Sequence, residues 1–248
     1  MEILKVKNLQ KSFGDKKVLD DVSFTLEAGE SLGVVGQSGS GKSTLAKIIS
    51  RLIDFDGGEI FFCGEDFSTL PNKKIYRNLQ MIFQMPEDSF NPRQTLGWSI
   101  AEPLKNFGAK NIFERVKNLL NEVDLPKDFS TRYPHEVSGG QCQRAAIARA
   151  ISISPKLLLC DEATSALDVE VQAQIVKLLR RLNVEKKIAL IFITHDLSLL
   201  PKIADKVIVL HGGKIIETGS PTEIIDKPQA DFTKKLLAAN FFKTNGGA

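Results

Sequence analysis

Short apolar runs that alternate with polar residues fill the first 35 positions: Ile3, Leu4 and Val6, then Val18, Val22, Phe24 and Leu26, then Leu32, Val34 and Val35. A period of two predicts strands, and the turn signals Gly14-Asp15 and Ala28-Gly29-Glu30 separate these runs. After Gly41 the period lengthens to that of a helix, with Leu45, Ile48, Ile49 and Leu52 on one face. A strand pair is expected around Gly57-Gly58, with Ile60, Phe61 and Phe62 on its far side, and a short strand from Leu79 to Phe83. Prolines at 86, 92, 103, 126 and 134 then punctuate a helical stretch in which Ile112, Phe113, Val116, Leu119, Leu120 and Val123 form one apolar face. From Lys156 the pattern returns to buried strand, helix (Val171 to Leu182), strand (188 to 193), short helix (197 to 203) and strand (205 to 211). Strands alternating with helices predict an α/β fold with a mostly parallel sheet. The tail from Pro221 reads as two short helices and a frayed end at 244 to 248.

Composition narrows this picture. The chain has 248 residues, and its 33 basic and 30 acidic side chains leave a formal charge of only +3. Its lysines and arginines are scattered, so no nucleic-acid footprint stands out. Cys63, Cys142 and Cys160 lack metal-finger or disulfide spacing, which fits a reducing compartment. The opening residues lack the pattern of a secretory signal and no apolar stretch reaches membrane-spanning length, so a membrane role is expected to run through a partner.

Chemistry enters at Gly36-Gln37-Ser38-Gly39-Ser40-Gly41-Lys42-Ser43, between a predicted strand and a predicted helix. Glycines at this spacing let successive N–H groups face one cavity at a helix start, where phosphates are held. Lys42 is expected to reach the β and γ phosphates and Ser43 to ligate Mg2+, with Thr44 as a second hydroxyl. The alternative is a glycine-rich turn with no ligand. Phe13 is a candidate for stacking on the base, or a core residue of an edge strand. Asp161 and Glu162 end the apolar run Leu157-Leu158-Leu159; two acids at the end of a buried strand need a cation or hydrogen bonds, so Asp161 is assigned to the metal through water and Glu162 to proton removal from an attacking water, with a solvated cap as the other reading of Glu162. Gln84 and His195 also follow apolar strands, the first placed to hold the attacking water or Mg2+ and the second to contact the γ-phosphate; the alternative for each is a cap or a satisfied core residue, and their shared rim position favours the site. Ser138-Gly139-Gly140-Gln141 opens another helix, as an ordinary cap or as a second anion site.

Taken together and in order, these motifs make the chain resemble the ATP-binding cassette ATPases, the nucleotide-binding subunits of membrane transporters. The resemblance covers Ile3 to roughly Gly219. It implies a P-loop NTPase core with an N-terminal antiparallel β subdomain and an inserted helical subdomain. The whole is one domain: about 1–84 and 156–220 as catalytic core, about 85–155 as helical subdomain, and about 221–248 as C-terminal helices and tail. It implies ATP and Mg2+ as ligands, and a second cassette, identical or homologous, whose Ser138 to Gln141 closes over the first one's ATP. Ser165-Ala166-Leu167-Asp168 then becomes the loop that communicates across the pair. The wording of residues 89–97, 132–136 and 165–174 is similar to the peptide and nickel importers. That likeness implies permease subunits in the membrane, an extracytoplasmic binding protein acting indirectly, and a place on the cytoplasmic face of the membrane. Val137, Cys142, Ala163 and Phe13 depart from the family's usual residues. The rival reading, a soluble cassette of DNA repair or translation, meets too short a stretch between phosphate loop and signature for a coiled coil, and only one cassette. A P-loop kinase leaves the signature unexplained.

Overall fold

The computed structural model describes residues 1–245; the last part of the predicted frayed tail, 246–248, lies outside the described residues. The first two strands, β1 (Glu2–Phe13) and β2 (Lys16–Glu27), form a long antiparallel hairpin around Gly14-Asp15, followed by β3 (Ser31–Val35). Helix α1 (Lys42–Ile49) leads to β4 (Gly57–Phe62) and the two-residue β5 (Glu65–Asp66), then α2 (Asn72–Asn78) and β6 (Leu79–Ile82). The helical stretch contains α3 (Leu96–Asn106), α4 (Ile112–Glu122) and α5 (Gly139–Ile151). There follow β7 (Leu157–Asp161), α6 (Val169–Lys186), β8 (Ala189–Ile193), α7 (Leu200–Ile203), β9 (Lys206–His211) and β10 (Lys214–Gly219). Helices α8 (Pro221–Asp226) and α9 (Asp231–Asn245) close the chain.

Two sheets result. One is antiparallel in the order β2-β1-β4-β5; the other runs β10-β9-β3-β8-β7-β6, parallel from β9 to β6 with β10 antiparallel at its edge. The expected class, a mostly parallel α/β sheet beside an N-terminal antiparallel one, is the class observed. The larger sheet is buried on both faces, which is why β7 and β8 read as continuous apolar runs rather than alternating ones. Successive residues feed opposite cores. Leu158, Cys160, Leu190, Phe192, Val207 and Val209 pack with α3 to α6, while Leu157, Leu159, Ile191, Ile193, Ile208 and Leu210 pack with α1 and the antiparallel sheet. Each such side chain, removed from water, contributes about 1.5 to 3 kcal/mol against the entropy of ordering the chain.

Gly57-Gly58 does not turn a hairpin. Both lie inside β4, and a Cβ on Gly58 would sit 2.5 Å from the carbonyl oxygens of Lys7 and Asn8, so glycine is needed there for close approach to β1. The reversal comes later, at Cys63 and Gly64, both at positive φ. β10 was not expected from the sequence and supplies the antiparallel edge.

Candidate active site

The parallel strands β3, β8, β7 and β6 end side by side, and the residues just beyond them meet at one rim. Register fixes this: Val34 pairs with Ile193, Ile193 with Asp161, and Cys160 with Ile82, so the segments beginning at Gly36, His195, Glu162 and Gln84 leave the sheet at nearly the same level. In such a sheet, ligands gather at these carboxyl ends.

From β3 the chain loops into α1, whose first-turn N–H groups have no acceptor within the helix and whose positive end faces the loop. No side chain caps α1. Glycine is enforced sterically at the loop's ends. A Cβ at Gly36 would meet the Leu210 carbonyl oxygen at 2.2 Å, and one at Gly41, whose φ is 109°, would meet Val18 O at 2.8 Å. The ammonium of Lys42 turns back into the loop, donating to the carbonyls of Gly36 (2.8 Å) and Gln37 (3.1 Å). Burial lowers the Lys42 pKa, while Glu162 and Asp161 act to raise it. Ser40 is buried and donates its N–H to Gln37 O at 3.1 Å, which tightens the turn.

The acid pair occupies the end of β7. Burial, then repulsion from Glu162, raises the Asp161 pKa; Lys42, Lys47 and the Ser43 hydroxyl pull it down. Asp161 Oδ1 is buried without a hydrogen-bond partner. A buried carboxylate oxygen beside a serine hydroxyl and a phosphate cradle fits a hard divalent cation. Among the described residues no group of three or more His, Cys, Asp or Glu could hold a metal. Glu162 sits at φ 49°, the left-handed region, unusual for a glutamate. Its N–H donates to Ile193 O (3.0 Å), its carbonyl accepts from the N–H and hydroxyl of Ser165 (3.0 Å each), and its carboxylate lies 3.6 Å from His195 Nδ1.

Phe13, 53% exposed at the tip of the β1–β2 hairpin, joins Ser38, Gly39, Gly41, Lys42, Ser43, Thr44 and Glu162 around an open cavity of about 330 Å3. Lys16 and Val18 complete its wall, and sequence reasoning did not single them out. The pairing of Phe13 with Lys16 across the hairpin would have been the signal. Gln84 is exposed just past β6. The signature residues stand apart from this cavity. Ser138 caps α5 in a capping box, accepting from Gln141 N (3.3 Å) and donating its own N–H to Gln141 Oε1 (2.9 Å), with Gly139 and Gly140 as the first helical residues. Asp168 caps α6 by accepting from Val171 N at 2.9 Å. Within one chain, then, neither the signature nor Asp168 lines the cavity with Lys42.

Comparison with known proteins agrees with the constellation. The ABC transporter family model matches residues 19–165, more than half of the chain. The oligopeptide transport ATP-binding protein OppF of Haemophilus influenzae is 46% identical over 246 residues, which span 95% of this chain and 74% of that protein. AppF of Bacillus subtilis, also an oligopeptide transport ATP-binding protein, is 43% identical over 93% of this chain and 72% of its own length. The glutathione import ATP-binding protein GsiA of Escherichia coli is 45% identical over 89% of this chain but only 36% of its own length. Among solved structures, the dimeric post-hydrolysis state of the ATP-binding cassette MJ0796 bound to ADP and Pi superposes with a TM-score of 0.78 at 28% identity, covering 88% of this chain and 99% of that one. For cbiO1 of Clostridium perfringens, part of the ABC transporter complex cbiONQ, the TM-score is 0.84 at 26% identity, covering 98% of this chain and 95% of that one. The phosphate loop, the acid pair and these relatives lead to one conclusion: the chain belongs to the ABC transporter family and is one of its ATPases.

Proposed function

We propose that the chain is the ATP-hydrolysing subunit of an importer for oligopeptides or other small peptides, working through a separate permease. The observation that carries this reading is the position of Glu162, whose carboxylate borders the phosphate-loop cavity and lies 3.6 Å from His195 Nδ1. The loop N–H groups of residues 39–44 and Lys42 hold the β and γ phosphates, and Phe13 stacks on the base. Ser43 and Asp161, with Gln84 at the rim, would hold Mg2+, which when bound would supply positive charge to the phosphates. Glu162 takes the proton of the attacking water, a role worth about 10^2 to 10^4 in rate, and His195 orients that water against the γ-phosphate.

Ser138, Gly139, Gly140 and Gln141, with Asp168, act from a second cassette. Their distance from the cavity in one chain is what a site completed by two subunits requires. ATP favours the closed pair, hydrolysis removes the bridging phosphate, and the pair reopens; the work comes from this difference in binding.

For the permease contact we favour the groove of about 330 Å3 beside Gln84, lined by Tyr76, Met81, Phe83, Glu102, Phe107 and Arg149 among others. Phe83, Tyr76 and the adjoining Met85 are exposed by 43%, 38% and 47%, an apolar rim suited to a short amphipathic segment of a membrane protein. No helix among the described residues is long and apolar enough to cross a membrane; a place at the cytoplasmic face would follow from contact with that permease. Peptides are preferred over nickel complexes because the relatives above are named for oligopeptide and glutathione transport. An extracytoplasmic binding protein would then select the cargo.

Glu162→Gln tests the reading in two ways. Purified, the variant should bind MgATP, turn it over at least a hundredfold more slowly, and elute as an ATP-dependent dimer. In cells lacking the wild-type gene it should fail to restore uptake of a labelled oligopeptide. Wild-type turnover would remove Glu162 from the chemistry, and full uptake in cells that lack the gene and carry no variant would remove the chain from peptide import.

A further inference from the structure

The polar side chain packed most completely into the machinery is one with no role so far. Gln143 lies on α5, two residues beyond the signature, and is fully buried. Its Nε2 donates to Ala163 O at 2.7 Å, while its Oε1 is buried with no partner. A methionine would occupy similar space without an orphaned oxygen, so packing alone argues against an amide here.

We infer that Gln143 is a positioning residue for hydrolysis, tying the helix headed by Ser138 to the loop that carries Glu162. This rests on the reading of Glu162 as the base. The loop after β7 is held peptide by peptide. Glu162 N–H bonds to Ile193 on β8, the Glu162 carbonyl accepts from Ser165, Thr164 Oγ1 accepts from Gln172 on α6 (3.2 Å), and Asp168 caps α6. Each of these anchors belongs to the loop or the sheet-and-α6 core. Among the described residues the Ala163 carbonyl is the loop group held from α5.

Leverage comes from the backbone. Glu162 is held at φ 49°, against its own preference, and the Ala163 carbonyl belongs to the residue immediately after it. Release of that carbonyl lets the strained segment relax and swings the carboxylate, and misplacement by about 1 Å can cost 10^2-fold in rate. Because α5 begins at the signature, a shift of this helix on engagement of a second cassette reaches Glu162 through a single hydrogen bond.

The test uses the full chain assembled with its membrane subunits, with kcat and KM for MgATP, affinity for a fluorescent ATP analogue, and thermal melting measured side by side. Gln143→Met keeps the volume and deletes the donor. It should melt at or above the wild-type temperature and bind nucleotide within twofold of wild type, with KM unchanged and kcat at least tenfold lower. Gln143→Glu adds a pH readout: ionised, it cannot donate to Ala163 O, and protonated it can, so its kcat relative to wild type should rise as pH falls. A Gln143→Met kcat within twofold of wild type overturns the inference, as does a kcat loss matched by equal losses in nucleotide affinity and melting temperature. If Gln143→Met does not fold, a flat Gln143→Glu ratio across pH overturns it instead. Glu162→Gln, run in parallel, separates the two claims. An inactive Glu162→Gln beside a fully active Gln143→Met removes only the tether, whereas an active Glu162→Gln removes the base on which it rests.

Discussion

Neighbouring glycines of the signature should respond oppositely to alanine. At Gly140 an added Cβ would lie 2.4 Å from Val171 Cγ1, while at Gly139 the nearest atom, Leu167 Cδ2, is 3.6 Å away, an ordinary contact. Both positions lie in the first turn of α5, where alanine gains at most about 1 kcal/mol in helix propensity over glycine. At Gly139 nothing opposes that gain, so Gly139→Ala should leave stability unchanged or raise it by up to about 1 kcal/mol. At Gly140 the methyl must displace a β-branched side chain with one preferred rotamer on α6, or push two helices apart; overpacking of this kind costs about 1 to 3 kcal/mol. The net expectation for Gly140→Ala is a loss of roughly 1 to 2 kcal/mol, near 2 to 8 °C in Tm for a chain of this length.

Val171→Ala removes the opposing methyls, so the pair should be coupled. Urea unfolding of wild type, both single variants and Gly140→Ala/Val171→Ala should give an interaction energy of about 1 kcal/mol or more, with the double variant more stable than the sum predicts. Additivity within about 0.5 kcal/mol would refute the contact as the reason for glycine. ATP turnover of the double variant then divides the two demands on this residue. Recovery assigns the glycine to α5–α6 packing, and persistent loss in a well-folded protein assigns it to the nucleotide of the second cassette.

Two further outcomes follow from the site's electrostatics and from its open wall. Burial and Glu162 hold the Asp161 carboxyl above its ordinary range, so the folded chain binds that proton more tightly than the unfolded one. The associated stability is complete below the unfolded carboxylate pKa and is lost as pH rises through the raised value. Without magnesium or nucleotide, Asp161→Asn should therefore melt higher than wild type at neutral pH, by about 2 to 4 °C for each kcal/mol relieved, and the advantage should shrink toward acid pH; a lower neutral Tm would contradict this. Phe13→Ala should raise KM for ATP roughly fivefold or more with kcat unchanged, the lower end of what 1 to 3 kcal/mol of base stacking implies, because the ring is 53% exposed. An unchanged KM would return Phe13 to a purely structural place.

What the sequence made legible, and what it hid, follows from which residues carry periodic burial. β7 and β8 stood out because both faces of each are buried, and the residues after them could be placed at a common rim without coordinates. α2 was invisible because Ile75 is its one buried residue, leaving no apolar stripe to detect. β10 was hidden for a related reason: Lys214 to Gly219 holds no fully buried side chain, and its strand character comes from pairing with β9. The glycine pair at 57–58 misled because such pairs usually turn, whereas here glycine admits the backbone of β1. Gln143 escaped because Gln141-Cys142-Gln143-Arg144 reads as a polar run on a helix start, and only packing reveals that this one amide points inward.

Groups that resist ordinary protein folding are found at the ends of β3 and β7 and on α5 beside them. Asp161 Oδ1 is buried without a partner, Glu162 is held in a left-handed conformation, the Lys42 ammonium is buried against backbone carbonyls, and the Gln143 amide oxygen has no donor. Each of these costs stability when taken alone, and none is needed to close either hydrophobic core, which consist of apolar residues throughout. Mg2+ and a triphosphate, if bound as proposed, would oppose the charges of the two carboxylates and the ammonium at once, offering cations to the acids and anions to the ammonium and N–H groups. Differential stabilisation of that kind is what a cassette requires, because the same free energy that ATP restores on binding is withdrawn when the γ-phosphate leaves.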